Sequence, residues 1–141
     1  MKIAAGVLFI ITAVLDLFAG LGYLLGGALT TGAATIGSDF ASGDAELTNV
    51  VNQGFLAGGG LVAYGIFILV VTGLLIAAAV FLFKSIKPKF IIVAGSLAIL
   101  IELVGIFGIH FGITNLIGLV AGVFGIVAAV SISKALNSPA E

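Results

Sequence analysis

The chain has 141 residues, of which 62% are hydrophobic and only 8% charged, with a formal net charge of −1. Its mean hydropathy of +1.42 lies far outside the balance of a water-soluble domain and excludes a nucleic-acid partner that would need a basic surface. It has no cysteine and a single histidine, so disulfides, thiolate metal sites and thiol catalysis are excluded, and neither a metal nor a cofactor is expected.

Four uncharged or nearly uncharged apolar runs follow one another, each at or above the ~20 residues a helix needs to cross a bilayer. The spacing predicts an all-α integral membrane protein: a single four-helix transmembrane domain over residues 1–141, with helices at about 3–29, 55–83, 89–111 and 114–134. A β-barrel is excluded because none of the runs alternates apolar with polar residues. The first run is read as a span and not as a signal peptide. A signal peptide's apolar region is ~7 to 15 residues, and this run is much longer and carries Asp16 in its middle.

Between the first two helices, about residues 30–54 read as a polar extracytoplasmic loop rich in Gly, Ser, Thr and Asn. Within it, Asp44 is an expected N-cap for a short helix over Ala45–Gln53, either lying at the interface or extending the second helix outward. The next connection, Lys84-Ser85-Ile86-Lys87-Pro88-Lys89, is short, which makes helices two and three antiparallel neighbours with Pro88 in the first turn of the third. The last turn is tighter still: Gly112 is expected to close helix three, and Thr114 or Asn115 to cap helix four.

All five basic residues, Lys2, Lys84, Lys87, Lys89 and Lys134, fall on one side of a four-span topology. The positive-inside rule makes that side cytoplasmic, so both termini are expected in the cytoplasm, in a prokaryotic cytoplasmic membrane. Tyr23 and Tyr64 lie near the other ends of their helices, where amphipathic aromatics anchor at headgroups. An internal 2+2 repeat of parallel helical hairpins is an alternative organisation. Laying Asp16 on Glu102 also lays Ala19 on Gly105, Gly22 on Gly108 and Gly26 on Gly112, and Gly60-Leu61-Val62-Ala63 matches Gly118-Leu119-Val120-Ala121. Chance similarity in so biased a composition is its rival.

The chemistry of the chain centres on two acids. Asp16 and Glu102 stand inside apolar spans, where a carboxyl is costly to retain and marks ion handling, ligand binding or helix pairing. Counting ~1.5 Å per residue from Lys2 and from Lys89 places both ~20 Å from the lysine-bearing edge, at one level in mid-membrane, with Thr72 near the same depth. Thr12 shares the face of Asp16, and no lysine, arginine or histidine occurs at that depth. The acids must therefore hold protons and bond Thr12, Thr72, Ser96 or a backbone carbonyl, bind a cation or basic ligand, or meet a basic residue of another membrane protein.

Small residues mark the expected helix contacts. Gly58, Gly65, Thr72 and Ala79 recur every seven positions on the second helix; Gly95, Ala98 and Gly105 share the face of Glu102, a stripe continued by Ile109 and Gly112. Gly118, Ala121 and Gly125 line the fourth helix, and such stripes let helix backbones approach in lipid. Because a lone bundle does not need them on every helix, the first functional expectation is a non-enzymatic packing or accessory subunit. Such a subunit would self-associate or dock to a larger membrane complex, its partners being membrane lipid, further copies or other subunits. The alternative is a channel, transporter or binder of a proton, cation or basic ligand at Asp16 and Glu102, with Thr72 and Thr12 completing the layer. An enzyme is the least supported class, because the chain offers only an acid pair and hydroxyls. A metal site formed by His110 with Asp39, Asp44 or Glu46 lacks any diagnostic spacing.

Overall fold

A computed structural model describes residues 1–108 and 112–138. Within them the chain is four α-helices: α1 (Lys2–Phe40), α2 (Ala45–Lys84), α3 (Pro88–Gly108) and α4 (Ile113–Asn137). All four are long and apolar enough to cross a membrane, the architecture of an integral membrane protein. The predicted end of the third helix over 109–111, with Ile109 and His110, lies outside the described residues. The chain divides into two compact units, Met1–Asp16 with Val70–Glu141, and Leu17–Leu69.

The largest departure from the sequence reading is the first connection. Residues 30–40 are not a loop but continue α1 to Phe40; Ala45–Gln53 form the outward extension of the second helix, one of the two forms expected for them, and only residues 41–44 connect the helices. The physical reason is that the polar side chains here are small enough to be satisfied by the helix itself. Thr30 and Thr31 donate to the carbonyls of Gly26 and Gly27 at 2.8 and 2.9 Å, and Thr35 donates to that of Thr31 at 3.0 Å. A hydroxyl that bonds one turn back needs no water and does not break the helix. Gly43, at φ 96°, makes the reversal. Asp44 then caps α2 as expected, its Oδ1 accepting from the backbone N–H groups of Glu46 at 2.9 Å and Leu47 at 3.1 Å.

In the unit of residues 17–69, α1 and α2 form an antiparallel pair at backbone contact. A Cβ placed on Gly27 would meet the Gly58 carbonyl oxygen at 2.6 Å, and one placed on Gly65 would meet that of Gly20 at 2.8 Å. These glycines recur every seven residues on both helices, so the same seam closes twice. Tyr23 and Tyr64 pack edge to face with centroids 5.0 Å apart.

In the other unit all four helices meet. Phe9, fully buried, presses its ring against Gly125, where any side chain would collide with it; Phe83 lies against Gly6; Phe81 and Phe90 stack edge to face at 5.1 Å. Gly95 and Gly122 bring α3 and α4 together, a Cβ on either lying within 3.0 Å of the other's carbonyl oxygen. Without a hydrophobic drive between helices in lipid, these close van der Waals contacts carry the association.

At the lysine-bearing end α2 stops in a Schellman-type turn: Ile86 N–H bonds the Phe81 carbonyl at 3.0 Å and Ser85 N–H that of Leu82 at 3.1 Å. Ser85 adopts φ 53°, a position usually given to glycine, and its hydroxyl accepts from Lys2 Nζ at 3.0 Å. Pro88 opens α3, where its missing N–H costs nothing.

Candidate functional site

Glu102 lies on the inner face of α3 among Gly95, Ala98, Ile101 and Gly105, and is 5% exposed. It can be there because α4 presents glycine to it. A Cβ on Gly118 would coincide with Glu102 Oε1, so the absence of a side chain at 118 is what leaves room for the carboxyl. The other oxygen, Oε2, accepts a hydrogen bond from Asn115 Nδ2 at 2.8 Å.

Asn115 is itself fixed by the start of α4. Its Oδ1 accepts from the Gly112 N–H at 2.9 Å while its own N–H donates to the Gly112 carbonyl at 3.1 Å. It thus caps the helix from inside the first turn, with Gly112 in the N-cap position and extended, and Gly112 serves α4 where the sequence reading gave it to the end of helix three. The amide is left with its NH₂ pointed at Glu102. Ser96, one of the expected partners of the acids, is exposed on the opposite face of α3.

The remaining polar residues of the layer come from α1 and α2. Thr12 is 1% exposed and Thr72 4%. Asp16, one turn beyond Thr12, is half-buried and within electrostatic reach of Glu102. Two atoms of this cluster, Thr12 Oγ1 and Asp16 Oδ2, are buried without a hydrogen-bond partner among the described residues. Buried polar atoms almost always find one, and in hydrocarbon an unmade bond is expensive.

Asp16, Glu102, Thr12 and Thr72 therefore belong to one unit of the fold. The residues singled out for helix packing, Gly58, Gly65, Ala79, Gly95, Ala98, Gly105, Gly118, Ala121 and Gly125, are all buried, Gly58 and Gly65 in the α1–α2 pair and the rest with the acids. Asn115 was not foreseen as a partner of Glu102. The signal for it was hairpin arithmetic: a tight turn places Gly118 opposite Glu102, and Asn115, one turn earlier, has the reach to meet it. Along α3 as described, Glu102 lies ~21 Å from Pro88 and ~9 Å from Gly108.

Among the described residues no three of His, Cys, Asp and Glu gather in a way that would hold a metal ion. No known protein family, no characterised protein and no solved structure matches the chain.

Proposed function

We propose that this chain is a small, non-enzymatic membrane protein whose acid pair, Asp16 and Glu102, takes up a proton or a small monovalent cation within the membrane. The observation that carries the reading is the pair of buried, unpartnered atoms, Thr12 Oγ1 and Asp16 Oδ2, beside Glu102. Two neighbouring carboxylates in a low-dielectric region need positive charge to offset their repulsion. Asn115 supplies Glu102 with a neutral donor but no charge, so the charge comes from a bound proton or cation. A hydroxyl that can donate or accept, one turn from Asp16, suits either. The lysine-bearing end is assigned to the cytoplasm and both termini with it, on the distribution of Lys2, Lys84, Lys87, Lys89 and Lys134.

The test is flux into proteoliposomes under an imposed proton or potassium gradient, with wild type, Asp16→Asn and Glu102→Gln. Uptake above that of empty vesicles, reduced in both variants, supports the reading. Wild-type flux equal to empty vesicles, together with no effect of pH or cations on detergent stability, overturns it.

A second reading, self-association or docking to another membrane subunit, is favoured by a different observation. On α1, Gly22 and Gly26 form a small-xxx-small pair with no heavy atom within 4 Å of where a Cβ would stand. Within the unit of residues 17–69 that strip is left uncovered, and a second helix packs well on such a surface. Cross-linking in native membranes tests it: oligomers lost in Gly22→Leu/Gly26→Leu support it, and a strictly monomeric wild type overturns it.

A further inference from the structure

At the lysine-bearing end of the unit formed by residues 1–16 with 70–138, a recess of about 460 Å³ opens between the start of α3 and the end of α4. It is lined by Lys87, Lys89 and Phe90 on one side and Ser133, Leu136 and Asn137 on the other. Every polar side chain lining it can donate a hydrogen bond: two ammoniums, one hydroxyl and one amide. The first turn of α3 carries no acidic residue, so no carboxylate competes there with an anion; the C-terminal end of α4 across the recess offsets the dipole of α3, and the two ammoniums carry the charge. Lys87 is partly positioned already, its ammonium 5.2 Å from the centre of the Phe81 ring.

We propose that this recess binds the phosphate of an anionic phospholipid headgroup. The argument for a lipid over a soluble phosphate is depth and lining. α3 is 21 residues long, about the length that spans the hydrocarbon core, so its first turn lies at the headgroup level whichever face of the membrane it occupies. Phe90 and Leu136 give the recess an apolar wall for the glycerol and the first acyl carbons, which a free phosphate would not use. The volume is within the range of small-molecule sites, and paired lysines at the mouth of two helices match the way membrane proteins hold phosphate headgroups. This site is separate from the acid pair and does not depend on its function. Glu141, the one acid of the C-terminal end, lies outside the described residues.

The experiment is native mass spectrometry of the full chain released from nanodiscs containing equal phosphatidylglycerol and phosphatidylcholine. Wild type should retain phosphatidylglycerol preferentially, and Lys87→Gln/Lys89→Gln should lower its retention by about fivefold per lysine. Lys2→Gln, at the same end but outside the recess, should retain it. Asn137→Asp places a negative charge on an exposed site in the recess, leaves packing untouched, and should also lower retention; it decides alone if the double lysine variant does not fold. Equal retention of phosphatidylcholine by wild type, an equal loss in Lys2→Gln, or unchanged retention in Asn137→Asp overturns the proposal. Displacement of the lipid by excess inorganic phosphate overturns the lipid assignment in favour of a free phosphate.

Discussion

The contact between Glu102 and Gly118 can be tested by a substitution whose sign depends on its background. In Gly118→Ala the new Cβ falls on Glu102 Oε1 and lies 2.5 Å from Cδ and 2.7 Å from Cγ, so the carboxyl must swing away. Overpacking of this kind costs about 1 to 3 kcal/mol. Losing the Asn115 bond adds about 0.6 kcal/mol, the average for side-chain bonds between membrane helices, and at most about 1.7 kcal/mol. Against this, alanine gains up to about 1 kcal/mol of helix propensity over glycine. The net expectation is a loss of about 1 to 4 kcal/mol. A Glu102→Ala background removes the three atoms nearest to the new Cβ, so the same substitution should be neutral or slightly stabilising there, a coupling of about 2 kcal/mol. Reversible unfolding in mixed detergent micelles, followed by helical circular dichroism for the four proteins of the cycle, measures it. Gly122→Ala is the control, because its Cβ meets the Gly95 carbonyl oxygen at 2.8 Å and Ile99 at 2.6 Å, neither relieved by removing Glu102. If Gly118→Ala has the same effect in both backgrounds to within about 0.5 kcal/mol, the fit of carboxyl to glycine is not what holds α3 and α4 in register.

Two further substitutions probe the α1–α2 pair. Gly58→Ala drives a methyl group into the Gly27 carbonyl at 2.8 Å and the Thr31 nitrogen at 2.9 Å; because backbone cannot yield as a side chain does, it should cost about 2 to 3 kcal/mol in the same unfolding assay. Gly60→Ala, with nothing within 4 Å, should be neutral or stabilising by up to about 1 kcal/mol. Asp44→Ala removes the acceptor of the Glu46 and Leu47 N–H groups and should cost about 1 kcal/mol. Its local signature is faster amide hydrogen exchange at those two residues, with the rest of α2 unchanged.

The four spans were legible because length and hydropathy decide whether a segment can cross a membrane, and nothing in tertiary packing overrides that. Residues 45–53 were legible as an outward extension of α2 capped by Asp44, but residues 30–40 were not, and the reason is specific. Gly, Ser and Thr are poor helix formers in water, where hydroxyls compete for the backbone. Here Thr30, Thr31 and Thr35 turn that same habit inward, onto carbonyls of their own helix, while Gly27, Ala34 and Gly37 let α2 come close enough to hold the turn straight. Seven-residue spacing pointed to Gly58, Gly65, Gly95 and Gly118, and each lies at a contact. It did not reveal what each glycine accommodates: backbone at Gly58, a carboxyl at Gly118 and a phenyl ring at Gly125. Those identities depend on which atoms the facing helix presents at each contact, which the spacing of glycines does not record.

The depth of the acid layer bears on how it works. Lys2 bonds Ser85, so α1 and the α2–α3 turn start from one level, and Asp16 lies ~21 Å along α1 from it, as Glu102 lies ~21 Å along α3 from Pro88. Glu102 is then only ~9 Å from the end of α3 at Gly108, and its partner Asn115 belongs to the first turn of α4. The polar layer thus lies nearer the start of α4 than the start of α3. On the proposed function, the short route for a proton or cation to Glu102 runs past Asn115 and the α3–α4 turn. The opposite route must pass the seam where Gly95 and Gly122 bring the two backbones together and Phe9 fills the space against Gly125. Passage on to the lysine-bearing face, which the flux measurement reads, therefore requires that seam to open.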